Sequence, residues 1–372
     1  MNRSPKTQDN ELLGLIQPEI RAAIYSKLGD IPAYRAKQIY DRLYAGRARS
    51  FSEMLQLPAQ LRNQLKENFT IGTLTLAHKS VSEDGTIKFL FELRDGNRIE
   101  SVLIPSEMRD AKGEARRKTL CLSTQVGCPL DCKFCATASM KLKRNLTAAE
   151  IMLQYFEVER LTEERITNIV YMGMGEPMLN YDNVIRSLRI LTDPELGIIG
   201  AKRITVSTSG LTDEIKKFAH EKLGVKLALS LHATTDELRS KLMPINRAHP
   251  IKELLAAMDE YYKVTGIPIT YEYILFEGLN DSDADARRLA KIARRNPSKV
   301  NVIPFHRIDF TNPTGIGAEL HPTSDENFVR FNEVLKTEGA HVMVRSSSGE
   351  DIEAACGQLA LSTLPHPVAI EV

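Results

Sequence analysis

The sequence predicts an α/β protein built on a parallel sheet, with a small helical N-terminal domain and a short β-rich connector before it. Three observations support this fold class. Apolar residues have helical spacing before residue 70, they alternate with polar residues from 72 to 105, and six strand–helix units follow in series after residue 118. The 372 residues are 42% hydrophobic and 26% charged, which is typical of a folded chain of about two domains.

The first predicted domain, residues 1–70, consists of short amphipathic helices joined at Gly, Pro and Ser. Its helical segments are LLGLIQPEIRAAIYSKLG, YRAKQIYDRLYAG and SFSEMLQLPAQLRNQLKENF. Residues 31–69 contain seven Lys or Arg against three Asp or Glu. This excess of positive charge has two interpretations, a solvated helical face or a module that binds phosphates.

Residues 71–116 form the predicted β-rich connector. Three segments, TLTLAHKSV, TIKFLFEL and RIESVLIP, alternate between apolar and polar residues. The turn sequences EDG and DGN separate them, so we expect three short strands joined by tight turns.

Residues 117–361 form the predicted main domain, followed by a tail at 362–372. The strand segments are KTLCLST, ITNIVYMGM, KRITVSTSG, KLALSLHA, PITYEYILFEG and KVNVIPFH, with HVMVRSSSG as a last strand. Helices are expected near 147–165, 181–193, 212–220, 236–242, 250–265, 283–295 and 324–338. In an α/β barrel the chemistry lies at the carboxyl ends of the strands. Unusual residues follow five of these strands, namely the cysteine loop after 121, then 174–177, 207–210, 230–232 and 304–306.

Four of the five cysteines lie within fifteen residues of one another, and the fifth, Cys356, lies far from them. An odd number of cysteines in a chain of this size argues against a disulfide scaffold and favours metal binding or thiol chemistry. Cys128, Cys132 and Cys135 supply three thiols on one short loop. They suit an iron–sulfur cluster with one open iron, or a zinc site with Cys121 as its fourth ligand.

Charge and hydropathy exclude several other classes of protein. Lys plus Arg total 49 and Asp plus Glu total 48, so a nucleic-acid partner would have to be held by local basic patches. No apolar run reaches the ~18 residues that a membrane span requires, and the N-terminus MNRSPKTQDN is polar. We therefore expect a cytoplasmic protein without a membrane partner.

The Cys128-x3-Cys132-x2-Cys135 spacing, with Phe134 before the last cysteine, resembles the motif of the radical S-adenosylmethionine (SAM) superfamily. The resemblance implies a partial (β/α)6 barrel with a [4Fe-4S] cluster and SAM as cofactors. The segment GMGEP at 173–177 is similar to the superfamily's strand-two motif, whose backbone and Glu hold the amino group of SAM. The implied SAM-binding residues are Gly175, Glu176, Ser207, Ser230, Leu231 and His232.

Four segments together resemble one branch of that superfamily, the ribosomal RNA adenine methyltransferases of the RlmN/Cfr type. They are CLSTQVGC at 121–128, GMGEP at 173–177, MPIN at 243–246 and DIEAACGQ at 351–358. The RlmN type methylates C2 of an adenosine at the peptidyl-transferase centre of 23S rRNA, and many members also modify the adenosine 3′ of the anticodon in tRNA. The Cfr type methylates C8 instead. The Pro after Glu176 favours the RlmN type.

The resemblance also implies a role for the remaining cysteines. C2 of adenine is electrophilic and cannot attack the sulfonium methyl of SAM directly, so radical chemistry is needed. In the implied scheme Cys356 accepts a methyl group from one SAM, and a 5′-deoxyadenosyl radical from a second SAM removes a hydrogen atom from it. The methylene radical then adds to the adenine carbon. Glu100 accepts the C2 proton, and Cys121 forms a disulfide with Cys356 that releases the product.

One position departs from the family pattern. The family usually has Asn two residues after the Pro that ends strand six, where this chain has His306. An imidazole can hydrogen-bond a ribose or a carboxylate, so His306 is expected to contact the cofactor.

The expected partners are 23S rRNA, tRNA and a one-electron reductant such as flavodoxin or ferredoxin, acting on a monomer. The basic residues of 31–69, 116–118 and 141–144 are expected to bind the RNA. Two alternatives stay open besides the C8 enzyme. One is a zinc-stabilised RNA-binding protein without catalysis, and the other is a radical SAM enzyme with a small-molecule substrate, which would not explain the basic N-terminal module.

Overall fold

The computed structural model describes residues 10–109, 113, 115–344 and 348–361. The predicted tail at 362–372 and part of the last predicted strand, residues 345–347, lie outside the described residues. No helix in the described ranges is long and apolar enough to cross a membrane.

Three α-helices form the described part of the N-terminal region, residues 10–70, as the helical spacing predicts: α1 (Gln17–Leu28), α2 (Ala33–Tyr44) and α3 (Ala59–Asn68). Their apolar sides contribute to the same hydrophobic core as the strands that follow. Polar contacts also fix them to the rest of the chain, since the Tyr40 hydroxyl donates to Asp193 at 2.7 Å and Arg186 pairs with Glu19 at 2.8 Å. The N-terminal helices are therefore packed firmly on the main domain.

Three antiparallel strands form the connector: β1 (Thr75–Val81), β2 (Ile87–Glu92) and β3 (Arg98–Pro105). They do not form a separate sheet. β3 pairs antiparallel with the first strand of the main domain, so the connector extends the main sheet at one edge.

The main domain alternates strands and helices in the predicted order. Its strands are β4 (Lys118–Cys121), β5 (Gln125–Val126), β6 (Arg144–Asn145), β7 (Asn168–Tyr171), β8 (Ile204–Thr208), β9 (Lys226–Ser230), β10 (Ile269–Leu275), β11 (Ser298–Pro304) and β12 (Val342–Val344). Its helices are α4 (Ala136–Ser139), α5 (Ala148–Thr162), α6 (Tyr181–Leu191), α7 (Thr212–His220), α8 (Asp236–Leu242), α9 (Ile251–Thr265), α10 (Asp283–Ala293) and α11 (Asp325–Thr337).

In the part of the chain that the structure describes, the main sheet has ten strands in the order β1-β2-β3-β4-β7-β8-β9-β10-β11-β12, and it is parallel from β4 onward. Among the described strands, the two edge strands β1 and β12 do not pair with each other. The predicted α/β fold with an open, partial barrel is therefore confirmed. β5 and β6 form a small separate pair beside the cysteine loop.

The strand register places Cys121 of β4, the thiol predicted to form a disulfide with Cys356, on the same side of the sheet as the predicted pocket residues. Cys121 lies opposite Val170 of β7, which lies opposite Thr205 of β8. Directly opposed residues share a face, as do residues two apart on one strand, so Cys121 and Ser207 project to the same side. Cys121 lies one side-chain layer deeper in the barrel than Ser207. Across the sheet, the two residues are two strand spacings apart, roughly 10 Å.

Candidate active site

A cavity of about 150 Å³ opens at the carboxyl ends of the parallel strands, and we call it the strand-end cavity. Many of the residues singled out in the sequence line it, although they are up to 228 positions apart. They are Cys128, Cys132, Cys135, Gly175, Glu176, Ser207, Ser230, His232 and Cys356. The residues of separate strand ends thus meet at one site, as expected for a parallel α/β barrel.

The three clustered cysteines lie on a loop that packs into an apolar environment. Cys132 and Cys135 contact a hydrophobic cluster that includes Phe134, Leu242 and Met243. Burial raises the pKa of all three thiols, to about 12 for Cys128. Thiolates in this loop would therefore need a bound cation to compensate for their charge.

The donor set of the loop is three cysteine thiols, and thiolates are the ligands of iron–sulfur clusters. Within the described ranges, no three His, Cys, Asp or Glu side chains converge closely enough to hold one metal ion. In a [4Fe-4S] cluster each thiolate binds a different iron, so the thiols are spread around the cluster, whereas structural zinc draws four ligands to one point. Cys121, the fourth ligand of the zinc alternative, does not line the strand-end cavity.

The 173–177 segment forms a tight wall of the cavity. Gly175 has φ +98°, and a Cβ there would lie 2.5 Å from Cβ of Gln125, so only glycine fits this position. The Glu176 carboxylate accepts hydrogen bonds from the Ser209 N–H at 2.8 Å and the Met178 N–H at 3.1 Å. Burial raises the pKa of Glu176, and these hydrogen bonds oppose that effect. The carboxylate is therefore fixed in place, with oxygen lone pairs left to bind a cationic group.

His232 lies in the cavity wall as a neutral ring. Its Nδ1 accepts a hydrogen bond from the Ile274 N–H at 3.1 Å, which assigns the proton of the neutral ring to Nε2. The ring contacts Phe134 edge-on, with centroids 4.8 Å apart. Burial, and then the positive charge of Arg239, lowers the pKa of His232 to about 3. The residue also has φ +53°, a left-handed conformation that is uncommon outside glycine.

Leu231 and His306, two predicted cofactor contacts, are not among the residues that line the cavity. The Leu231 side chain is fully buried, and its carbonyl oxygen accepts a hydrogen bond from Arg239. Nδ1 of His306 lies 3.0 Å from a carboxylate oxygen of Glu350. Their roles as cofactor contacts stay predictions.

A second group of functional side chains lies on the strands of the connector, and we call it the connector face: Lys88 of β2, Glu100 of β3 and Cys121 of β4. Lys88 and Cys121 are both opposed to Val102 of β3, and Glu100 is two residues from Val102, so all three project from one side. Lys88 Nζ lies 3.5 Å from Glu100 Oε1, and both side chains are buried. Ser101, on the other side, hydrogen-bonds Gln154 of α5, so the connector face is turned away from α5.

Glu100 has the environment of a buried, partly compensated carboxylate. Burial raises its pKa, and the positive charge of Lys88 opposes this. Its Oε1 accepts no hydrogen bond from the described residues. Oε1 faces Lys88 Nζ at 3.5 Å, so the connector face holds a carboxylate that is paired with a cation and can still accept a proton.

The C-terminal loop, residues 348–361, connects the two regions. At the connector face, Lys88 Nζ donates to the carbonyl of Glu353 at 3.3 Å, and the Leu361 N–H donates to Glu100 Oε2 at 3.2 Å. Between these two points, Cys356 and Gly357 line the strand-end cavity. The Ala136 N–H donates to the carbonyl of Gly357 at 2.7 Å, next to Cys135. Cys356 is thus held beside the cysteine loop by a segment that is anchored at the connector face.

Sequence reasoning missed two buried cations, Arg239 and Lys88. In the sequence, neither residue can be distinguished from an ordinary surface Arg or Lys. For Arg239 the one available signal was the neighbouring 243–246 segment, whose Asn246 accepts a hydrogen bond from its guanidinium. For Lys88 the signal was its place within a largely apolar strand, IKFLFE.

The basic residues of the N-terminal helices are partly engaged within the protein. Lys37 pairs with Asp41 and Glu195, each at 3.0 Å, and Arg47 pairs with Glu159. These two cations are less available for phosphates than the count in the sequence suggests. RNA binding by this region stays a prediction.

Comparison with known proteins gives the family. The radical SAM superfamily model matches residues 122–290, and the model of the ribosomal RNA large subunit methyltransferase N-terminal domain matches residues 10–71. The chain is 45% identical over 354 residues to the probable dual-specificity RNA methyltransferase RlmN of Thermotoga maritima, covering 95% of this chain and 98% of that protein. It is 43% identical over 343 residues to the dual-specificity RNA methyltransferase RlmN of Campylobacter hominis, covering 90% of this chain and 94% of that protein.

A solved structure agrees with these relatives. The crystal structure of a radical SAM methyltransferase from Sphaerobacter thermophilus superposes with a TM-score of 0.84 at 42% identity, covering 94% of this chain and 99% of that chain. The match extends over the helical N-terminal region, the connector and the main domain. It excludes the non-catalytic zinc protein as an interpretation of this chain.

Proposed function

The chain belongs to the RlmN family of dual-specificity RNA methyltransferases, within the radical SAM superfamily, and from this premise we propose that it methylates C2 of an adenosine at the peptidyl-transferase centre of 23S rRNA. The proposal extends to the adenosine 3′ of the anticodon in tRNA. One observation carries it. Cys356 lines the strand-end cavity with the three clustered cysteines, while its loop is bonded to Lys88 and Glu100 on the connector face that also carries Cys121.

Radical SAM enzymes use a [4Fe-4S] cluster and SAM. Here Cys128, Cys132 and Cys135 would hold three irons and leave the fourth open to SAM. The fixed carboxylate of Glu176 would bind the amino group of SAM, with Ser207, Ser230 and neutral His232 lining the same pocket. When bound, these groups supply the methyl group and the radical chemistry that carbon methylation requires.

Cys356 would carry the methyl group as a thioether. Its place in the cavity wall suits this role, because the same sulfur must first meet a methyl donor and then present the methyl carbon to RNA. After the methyl carbon loses a hydrogen atom and bonds to C2, the covalent link between Cys356 and the RNA must be broken. The two remaining steps fall to the connector face.

Glu100 would accept the C2 proton at Oε1, the buried oxygen that accepts no hydrogen bond from the described residues. Cys121, as a thiolate, would then attack the sulfur of Cys356. A Cys121–Cys356 disulfide forms, the bond between sulfur and the transferred carbon breaks, and that carbon takes a proton to become the methyl group of the product. The unpaired electron left by the radical addition would pass to the [4Fe-4S] cluster that Cys128, Cys132 and Cys135 would hold. An external thiol reductant must return both cysteines to the thiol form before the next turnover.

A one-electron reductant such as flavodoxin or ferredoxin would supply electrons for SAM cleavage, and two SAM molecules would be used per turnover. The basic residues at 116–118 and 141–144, together with the N-terminal helices, would bind RNA phosphates. We expect the enzyme to act as a monomer. Binding through phosphates predicts that RNA affinity falls as salt is raised.

The direct test is nucleoside mass spectrometry of an unmodified 23S rRNA fragment and, separately, an unmodified tRNA. Each is incubated anaerobically with reconstituted protein, SAM and reductant, and a reaction without reductant is the control. The proposal predicts 2-methyladenosine in both RNAs and none in the control. Exclusive 8-methyladenosine would contradict the C2 assignment, and SAM cleavage without any methylated adenosine would contradict the RNA substrate.

A further inference from the structure

Arg239 is a completely buried cation that the proposed chemistry does not use. It lies on α8, and its guanidinium donates four hydrogen bonds. The acceptors and distances are the carbonyls of Leu231 (3.1 Å), Ser230 (3.1 Å) and Ser209 (2.6 Å), and Oδ1 of Asn246 (2.9 Å). Within the described part of the chain it forms no ion pair with a carboxylate.

A buried guanidinium without a carboxylate partner is costly, so its position calls for an explanation. Burial lowers the pKa of Arg239 to about 10, which still leaves it charged at neutral pH. Three of its four acceptors are carbonyls at the carboxyl ends of β8 and β9. These are the two strand ends whose Ser207 and Ser230 line the strand-end cavity. Arg239 therefore ties two walls of the cavity together.

The helix that carries Arg239 is also bonded to the cysteine loop. The Lys133 N–H, between two of the clustered cysteines, donates to the carbonyl of Leu242 at the end of α8, at 2.9 Å. Cys132 packs against the same hydrophobic cluster as Leu242. The helix that carries the charge of Arg239 is thereby fixed against the cysteine loop.

The 243–246 segment supports this arrangement. Nδ2 of Asn246 donates to Oδ1 of Asp236 and to the hydroxyl of Ser240, each at 2.9 Å. These bonds orient the amide so that its oxygen accepts from Arg239. The Asn246 side chain is thus a fixed support for the guanidinium, which accounts for part of a motif that the proposed chemistry leaves without a role.

We propose that Arg239 is a positioning residue that clamps the ends of β8 and β9 into the SAM-binding wall and holds a permanent positive charge on the helix that is bonded to the cysteine loop. The clamp fixes the position of Ser209 relative to Ser230. Ser209 also donates its N–H to Glu176. The charge favours the reduced form of a cluster held by three thiolates, because net charge near a cluster sets its reduction potential. The inference rests on the cluster assignment and is independent of which RNA carbon is methylated.

The test compares Arg239→Gln, Arg239→Lys and Asn246→Ala with the unaltered holoprotein, in the absence of RNA. The readouts are iron and sulfide content, the cluster midpoint potential from a redox titration followed by electron paramagnetic resonance, and SAM affinity from equilibrium dialysis. Arg239→Gln should give a more negative midpoint potential and SAM binding weaker by about tenfold, the equivalent of one lost charged hydrogen bond. Arg239→Lys keeps the charge but cannot reach four acceptors, so its potential should stay unchanged while its SAM affinity falls. Asn246→Ala should also keep the original potential, with a smaller loss of SAM affinity.

Arg239→Gln protein with full iron content and an unchanged potential would overturn the electrostatic role. Arg239→Lys protein with unchanged SAM affinity would overturn the clamp. If Arg239→Gln does not assemble a cluster, Arg239→Met takes its place as the uncharged variant, with the same expected shift of the potential. Arg239→Lys and Asn246→Ala are required to keep the original potential while losing SAM affinity, and a shifted potential in either would contradict the proposal.

Discussion

The strand-end cavity and the connector face lie on the same side of one sheet but are built in different ways. The cavity takes one or two residues from the end of each of several parallel strands, plus a single short loop that holds Cys128, Cys132 and Cys135. The connector face takes Lys88, Glu100 and Cys121 from three adjacent strands, and only the pairing register aligns them. Cofactor binding therefore depends on local motifs, whereas the proposed proton transfer and thiol exchange depend on long-range pairing.

The C-terminal loop makes this difference functional. It brings Cys356 to the cavity, and its flanking residues Glu353 and Leu361 are bonded to the connector face. If the two regions divide the work as proposed, substitutions in the cavity should abolish cofactor chemistry. Substitutions on the connector face should leave it intact and stop a later step.

The largest contrast is expected between Cys132→Ala and Cys121→Ala. Cys132→Ala removes one of three proposed iron ligands, so it should lose most of its iron and cleave no SAM. Cys121→Ala lies outside the cavity and should keep both the iron and SAM cleavage. Iron and sulfide analysis and release of 5′-deoxyadenosine measure the two properties. Loss of iron in Cys121→Ala would show that the division between the two regions is wrong.

Cys356→Ala distinguishes the role of the C-terminal loop from that of the cofactor pocket. The variant lacks the proposed methyl carrier, so RNA methylation should fall by about a thousandfold or more. Its iron content should match that of the unaltered protein, because the other three cysteines of the cavity are untouched. Nucleoside mass spectrometry and iron analysis on the same preparation give both values. Catalytic methylation by Cys356→Ala would exclude the thioether intermediate.

Lys88→Met and Glu100→Gln test the ion pair of the connector face. Breaking a buried pair on one side leaves an uncompensated charge, so Lys88→Met should lower the free energy of unfolding by roughly 3 kcal/mol. The double variant should be less destabilised than the sum of the single ones. Loss of Lys88 also raises the pKa of Glu100 further, so the rise of the remaining methylation with pH should move to higher pH. Denaturant unfolding and pH–rate profiles are the measurements.

Lys79→Met is the matched control for this series. Lys79 is an exposed residue on β1, next to the strand of Lys88. It should change neither stability nor the pH profile. An equal effect of both lysine substitutions would mean that the pair between Lys88 and Glu100 has no special role.

Much of this arrangement could be predicted from the sequence, for identifiable reasons. The predicted helices at 212–220 and 236–242 match α7 and α8 exactly, since their apolar spacing and polar starts are local signals. The predicted strand KTLCLST is too long, because the chain leaves the sheet after Cys121. There Thr124 and Gln125 instead donate their N–H groups to the carbonyl of Met174.

Other features depend on contacts that no local pattern contains. The continuation of the connector into the main sheet follows from pairing between β3 and β4, and two strand patterns alone do not specify which strands pair. Arg239 and Lys88 are charged residues, which are mostly exposed in proteins, so their burial could not be read from composition or spacing. Both are explained only by acceptors that come from distant segments.

The smallest expected effect is on the free energy of unfolding at acidic pH, and it comes from His232 in the cavity wall. His232 has a pKa of about 3 in the folded protein and about 6.5 when unfolded, so the unfolded chain binds more protons as pH falls below 6.5. Folding stability therefore decreases toward acid, and His232 accounts for about 2 kcal/mol between pH 8 and pH 5. In apoprotein, His232→Asn should remove this component, since Asn tolerates the positive φ and does not titrate. Denaturant unfolding at the two pH values measures it, and an unchanged pH dependence would show that the ring is not held neutral.

The most direct test of the central claim, that Cys356 on the C-terminal loop carries the covalent intermediate and Cys121 of the connector face resolves it, is to trap that intermediate. Cys121→Ala holoprotein is incubated with SAM, reductant and an unmodified 23S rRNA fragment, and the denatured mixture is analysed by gel electrophoresis and peptide mass spectrometry. The account predicts a stable protein–RNA adduct joined through a one-carbon bridge at Cys356, with little free methylated RNA. Repeated turnover to 2-methyladenosine by Cys121→Ala, with no adduct at Cys356, would contradict it.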